Sequence, residues 1–184
     1  MTQNAIQKNK TELTIEYAQV ELSLSDLNDL CDATDAAIDD GGGFGWIQLP
    51  ARETLERFWN GAIVMPQRDV FLARMDDTIC GACVLVHPPQ NNEAQSHAVH
   101  LTSHFVAPWA RETGLAKMLL QRAEKQAKSK KYTVVNLDVR ETQVAAIKLY
   151  ENQGYENYAT HPAYAYADEH YVAGHYFMKI LDAV

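Results

Sequence analysis

Residues 104–124 read HFVAPWARETGLAKMLLQRAE, and the reading of this stretch decides the fold. It opens as the apolar end of a strand and turns at Ala107 and Pro108. It then enters a helix through RETGLA, with Leu115, Met118, Leu119, Arg122 and Gln126 along one rim and Leu120, Ala123 and Ala127 beside them. The entry has an arginine at 111, a glycine at 114 and a small residue at 116, the pattern R-x-x-G-x-A. A helix N-terminus presents free N–H groups and a partial positive charge, so it attracts anions. Gly114 lets the backbone come close to a phosphate, and Arg111 adds a fixed positive charge. On the hexapeptide alone two readings stand side by side, a phosphate cradle and a capped helix start without a ligand.

Working outward, Glu12–Val20 alternates apolar and polar residues as a half-buried strand does. The next segment carries Leu27, Leu30, Cys31, Thr34 and Ile38 at helical spacing, with Ser25 as its N-cap and the glycines at 41–43 as its stop. A second helix begins near Pro50 and carries Leu55, Phe58, Trp59 and Ile63. Asp69–Met75 and Thr78–His87 form a hairpin turned by Asp76-Asp77, a loop follows, and His97–Val106 is the next strand. Beyond the helix of about 113–128 come a strand over 132–139 and a helix over 142–153 ended by Gly154. Two strands, 155–161 and 170–181, then enclose a tyrosine-rich loop. There is no repeat and no linker, so residues 1–184 read as one domain with a polar tail over 1–11.

The net charge of −8 excludes a nucleic-acid binder, which needs a basic face, and suits a small cationic or zwitterionic partner. No apolar run approaches the roughly 20 residues of a membrane span, and the polar start lacks the core of a secretion signal, so the cytoplasm is the expected location. Three cysteines do not make a disulfide framework. The CGAC at 80–83 imitates a redox motif but sits in a strand run, where residues three apart point to opposite faces, so buried, inert thiols are the expectation.

One strand after the RETGLA helix stands AAIKLYENQGY, residues 145–155, with Tyr150 just ahead of a glycine stop. In this order the two motifs resemble the GNAT superfamily of acetyl-CoA-dependent N-acetyltransferases. The resemblance covers nearly the whole chain and implies an α/β fold, a mixed and mostly antiparallel central sheet flanked by helices. It implies acetyl-CoA as co-substrate, its pyrophosphate held by Arg111, Glu112, Thr113, Gly114, Leu115 and Ala116. Backbone N–H groups near Phe105 and Val106 would hold the coenzyme and the thioester oxygen, and Gln143 stands where asparagine is frequent. The chain departs from the family pattern at Glu112, where glycine is commonest, at Ala116, where glycine is frequent, and at His100, where a glutamate base is frequent. GGGFGWIQLP and YAYADEHYVAGHYFMKIL are also similar to the tabtoxin-resistance branch, which acetylates a small amino-acid-like toxin.

The reaction so implied is direct attack of a small acceptor's primary amine on the thioester. Tyr150 is the candidate general acid, since a phenol is protonated at neutral pH; the bland alternative is a tyrosine packed on the core. His100 is the candidate base, against a hydrogen-bonded spacer with water as relay. His100 and His104 should share a strand face and His97 the other, which argues against a metal site. Asp138 would orient or deprotonate a cationic amine, or else cap the next turn. Phe44 and Trp46 would wall the acceptor site, and Tyr164 and Tyr166 would close over it. The other functional class left open is a coenzyme A-binding sensor without transfer activity. Pairing of family members through C-terminal strands makes a homodimer the expected assembly.

Overall fold

The computed structural model describes residues 11–18, 21–42 and 44–181. All but the last residue of the polar tail over 1–11, the last two residues of the first expected strand and Gly43 lie outside them. The elements are β1 (Leu13–Ala18), α1 (Leu24–Asp39), α2 (Arg52–Val64), β2 (Arg68–Met75), β3 (Thr78–Val86) and β4 (Ala98–Val106). They continue with α3 (Leu115–Ser129), β5 (Val134–Arg140), α4 (Val144–Asn152), β6 (Glu156–Ala167) and β7 (His170–Ile180). The strands form one sheet in the order β1-β2-β3-β4-β5-β7-β6. Every neighbouring pair is antiparallel except β4 and β5.

Helices cover both faces. Leu115, Leu119, Leu120 and Ala123 of α3 pack with Val99, Leu101, Val135 and Leu137 on one side. Leu30, Ala33 and Ala37 of α1 and Leu55 and Trp59 of α2 pack with Val70, Leu72 and Val84 on the other. Trp59 pays no polar penalty for its complete burial, because its indole N–H donates to Thr34 Oγ1 at 3.0 Å. Among the described residues no helix is long and apolar enough to cross a membrane.

Two bulges reset the alternation of side chains. In β3, Gly81 pairs with Ala73 and Ile79 with Arg74, which leaves Cys80 as the extra residue. Cys80 and Cys83 therefore lie in the same α3 layer, not on opposite faces as plain alternation predicts. Both are free and buried, and burial pushes the Cys80 thiol up to about 11 and Cys83 higher still, so neither is a nucleophile at neutral pH. In β4, Phe105 pairs with Ala82 and Thr102 with Val84, so Ser103 and His104 share one opposing position, with Ser103 at φ 49. Phe105 turns into the α1–α2 layer while Val106 returns to the α3 layer.

Other local corrections are small. Ser23, not Ser25, caps α1, accepting from the Asp26 N–H at 3.1 Å. The tyrosine-rich segment is no loop: it completes the 12-residue strand β6, joined to β7 by Asp168 and Glu169, both at positive φ. That pair of conformations matches the right-handed twist of a hairpin, which is why so tight a turn closes two long strands.

Near the start of β2, the Asp69 carboxylate is almost fully buried and fully partnered. It accepts from Tyr17 at 2.6 Å, Lys130 at 2.7 Å and His87 at 2.9 Å. Burial alone would raise its pKa, but the hydrogen bonds from Lys130, Tyr17 and His87 outweigh it and hold the carboxyl below the usual range. A carboxyl depressed in the folded state stabilises above its unfolded pKa, and that contribution fades as pH falls through the folded value. Asp69→Ala should therefore lower the unfolding free energy at pH 7 by about 3–5 kcal/mol, with the deficit shrinking in urea titrations repeated below pH 4.

Candidate active site

The parallel pairing of β4 with β5 runs only from Ala98 opposite Val134 to His100 opposite Asn136. Beyond it the strands part, and two cavities open into the gap. The first, of about 600 Å³, is lined by Phe105 and Val106, by the loop Arg111–Gly114, by the first residues of α3, and by Thr142–Ala146. Gly114 caps α3 at φ 92, a conformation that glycine adopts freely. The first bond recorded back to it is from the Met118 N–H, at 3.1 Å, so the N–H groups of Leu115, Ala116 and Lys117 have no partner within the helix. Thr113 Oγ donates to the Ala110 carbonyl at 2.8 Å and holds the loop in shape. The Arg111 guanidinium lies 2.6 Å from Asp40 Oδ2. A row of unspent N–H donors, a glycine beside open space and a guanidinium fit the pyrophosphate of a coenzyme A thioester.

Glu112 shows why glycine is the commoner residue at its position. Its φ is 63, the left-handed conformation that costs a residue with a Cβ about 1 kcal/mol or more.

The second cavity, of about 470 Å³, holds the remaining chemistry: His100, Asp138, Tyr164, Tyr166 and the wall residue Phe44 all line it. Val135, Leu137 and Val139 point into the α3 layer, so alternation puts Asp138 on the other face of β5, with His100 beside it on β4. His100 Nε2 lies 2.9 Å from Asp138 Oδ1, and the Tyr164 hydroxyl donates to Asp138 Oδ2. The His100 hydrogen bond lowers the Asp138 pKa against the opposing effect of burial, with Tyr164 helping, so Asp138 is a carboxylate. Burial and the bond to Asp138 both raise Tyr164, which keeps its proton. Because a carboxylate only accepts, Nε2 of His100 carries the hydrogen, and in the neutral ring Nδ1 keeps its lone pair.

Tyr164 reaches Asp138 through a further irregularity. The β6–β7 register slips between His161 and Ala165, where Pro162 has no N–H to give the ladder. The Tyr164 ring settles on Gly174 of β7, where any Cβ would collide with it. Tyr166 lines the same cavity but stays mostly exposed, edge-on to Tyr171.

The cavities meet at His104, Gln143 and Ala146, which line both. Tyr150 lines the second; it is buried in α4 between Tyr155 and Phe177, and its hydroxyl lies 3.0 Å from His104 Nδ1. Burial drives the Tyr150 pKa up, so the phenol is protonated. The bulge at Ser103 puts His104 in the α3 layer with Val106, while His100 faces the opposite layer. The expectation that these two histidines share a face is thereby corrected. His104 was legible only as a histidine in an otherwise apolar strand end.

In the glycine-rich loop the carbonyl oxygens of the described residues are the groups in use. Gln143 Nε2 donates to the Gly41 carbonyl at 2.6 Å, and Arg140 donates to the carbonyls of Gly42 and Phe44. Gly42 packs on the last turn of α1, where a Cβ would collide with the Ala37 carbonyl. Phe44 is both wall and core, edge-on to Trp59 and Phe105. Trp46 is corrected: it packs behind Phe44 and on Phe58, while Gly45 and Ile47 take the place in the cavity lining expected of it.

Replacing Glu112 by glycine removes both a strained φ and a carboxylate from the first cavity. Glu112→Gly should bind acetyl-CoA about three- to tenfold more tightly in calorimetry at low salt, with the gain shrinking as salt screens the charge.

Comparison with known proteins agrees with this geometry. The model of the acetyltransferase (GNAT) family matches residues 33–155. An uncharacterized N-acetyltransferase from the hisH-hisA intergenic region of Azospirillum brasilense is 52% identical over 133 residues, 72% of this chain and 79% of that one. Among solved structures, an N-acetyltransferase from Staphylococcus aureus Mu50 superposes with a TM-score of 0.79 at 18% identity, covering 93% of this chain and 99% of that one. A ribosomal-protein-alanine N-acetyltransferase from Brucella melitensis gives 0.76 at 20% identity, over 91% and 99%. The structure of yncA from Salmonella typhimurium, solved with its cofactor acetyl-CoA, gives 0.74 at 14% identity, over 92% and 94%. These structural likenesses are of fold. The family match and the Azospirillum relative carry the assignment, and the chain belongs to the acetyltransferase (GNAT) family.

Proposed function

We propose that this chain moves the acetyl group of acetyl-CoA to the primary amine of a small, amino-acid-like acceptor in the cytoplasm. The observation that carries the reading is the meeting of two differently equipped cavities at His104, whose ring lies against the Tyr150 hydroxyl. One offers N–H donors and Arg111 to a pyrophosphate; the other offers a carboxylate and an imidazole to an amine. Holding both reactants at such a junction can supply about 7–11 kcal/mol of the barrier reduction.

Asp138 attracts an ammonium group and fixes the His100 tautomer, leaving Nδ1 to take the proton the amine must lose. The amine nitrogen attacks the thioester carbon, and the departing sulfur is protonated by Tyr150. A space of about 470 Å³, walled by Phe44, Tyr164 and Tyr166, suits an acceptor of amino-acid size. Arg140 on the same wall is able to meet a carboxylate. A coenzyme A sensor without transfer activity has no use for the His100–Asp138 pair. The edge strand β6 runs 12 residues with β7 as its only neighbour among the described residues, and we read it as the surface through which two copies pair.

Calorimetry with acetyl-CoA tests the first cavity. Wild type should bind at micromolar Kd, and Gly114→Glu, still folded but with an unfolding midpoint lowered by the left-handed φ at that position, should not. A folded wild type that fails to bind sinks the reading. Coenzyme A release should then be followed with glycine, L-lysine, L-methionine, putrescine and ethanolamine as acceptors. With the best of these, Asp138→Asn should cut kcat/KM by about 10²–10³-fold, as loss of a general-base assembly does.

A further inference from the structure

His104 is the part-buried titratable side chain at the cavity junction that the chemistry above leaves unused. It stands in a layer of apolar side chains, where leucine would pack as well, so its polarity needs a reason. Both ring nitrogens are spent: Nε2 lies 2.9 Å from the Ala116 carbonyl in the first turn of α3, and Nδ1 lies 3.0 Å from the Tyr150 hydroxyl in α4. The ring thus ties the helix that receives the coenzyme to the tyrosine that would protonate its sulfur.

The two bonds determine where the protons are. A carbonyl has no hydrogen to give, so Nε2–H is the donor toward Ala116. In a neutral ring Nδ1 is then an acceptor, and the Tyr150 O–H must donate to it. The Tyr150 ring is clamped by Tyr155, Phe177 and His104, which leaves rotation about the C–O bond as the hydroxyl's only freedom.

We propose that His104 is a positioning residue for proton delivery: it holds the Tyr150 hydroxyl hydrogen on Nδ1 and releases it by rotation about the C–O bond when a thiolate forms in the adjoining cavity. The proposal rests on the reading of Tyr150 as general acid. His104 does not take the proton, because burial holds its pKa near 4 while Tyr150 is raised. In the step itself the C–S bond breaks and its electron pair stays on sulfur. The Tyr150 O–H bond breaks and an S–H bond forms. The phenolate recovers a proton from solvent, which has received the amine's proton from His100.

The test compares four variants with acetyl-CoA and the amine of highest turnover in the panel above. His104→Leu should lower kcat about 10- to 100-fold, the range for a misplaced general acid, with KM for acetyl-CoA unchanged. His104→Asn, whose amide oxygen stands near the position of Nδ1, should restore kcat to within about threefold of wild type. Tyr150→Phe should lower kcat at least as far as His104→Leu, and the double variant with His104→Leu no further, since both remove one function. If Tyr150→Phe is slow and His104→Leu is not, or if their losses multiply, the ring is only packing and the proposal fails. If Tyr150→Phe keeps wild-type kcat, the acid reading fails and this proposal with it. Should His104→Leu not fold, or no amine turn over, the ¹⁵N spectrum of the wild-type ring decides. A proton on Nε2, with an Nδ1 resonance that moves in Tyr150→Phe, supports the arrangement, and a proton on Nδ1 overturns it.

Discussion

The parting of β4 from β5 after three residue pairs is the constraint on which the rest of the molecule depends. Parallel strands that stayed paired would satisfy each other's backbone and leave nowhere for a substrate. Once they separate, the β5-facing edge of β4 keeps unspent backbone groups, and such groups need a partner. Phe105 and Val106 carry that edge into the cavity that begins at the N-terminus of α3. The same gap admits the second cavity from the side of α1 and α2, so the two cavities reach one junction from different directions.

The ionisable groups around the gap are held in states that differ from one another. Asp138 is depressed, Tyr150 and Tyr164 are raised, and His104 is lowered; each direction follows from one named partner or from burial. Groups pushed apart in this way stand in different states at one pH: a carboxylate, phenols that keep their protons, and an imidazole that accepts a hydrogen bond without charging. The donors for an anion are concentrated on the Arg111–Lys117 turn, with the carboxylates of Asp40 and Glu112 beside them.

Much of this architecture was legible along the chain. Helical spacing from Leu115 onward, alternation in Glu12–Ala18, and the strand signals around Asp69–Met75 each reflect burial of one side of one element, which a local window contains. The Arg111–Ala116 turn was also visible, because its conformation is local and Gly114 is the residue such a turn wants. Trp46 misled because an aromatic in a loop carries no label saying whether it faces a cavity or the back of a neighbour. Tyr164 was placed in a loop because Pro162 interrupts the strand pattern, although the hairpin absorbs it as a bulge.

Sequence by itself thus determined the elements, the helix start suited to an anion and the family pattern of RETGLA followed by Tyr150. Each depends on neighbours a few residues apart. Only the tertiary structure decided which faces those elements show. The bulges at Cys80 and Ser103 invert the parity of everything beyond them, and a bulge exists only in relation to the strand opposite. That inversion brings the two cysteines into one layer, separates His100 from His104, and sets His104 against Tyr150, 46 residues away. The pairing of His100 with Asp138 likewise belongs to the register of two strands joined across α3. Register is settled by the burial of whole faces, and no stretch of chain read alone contains it.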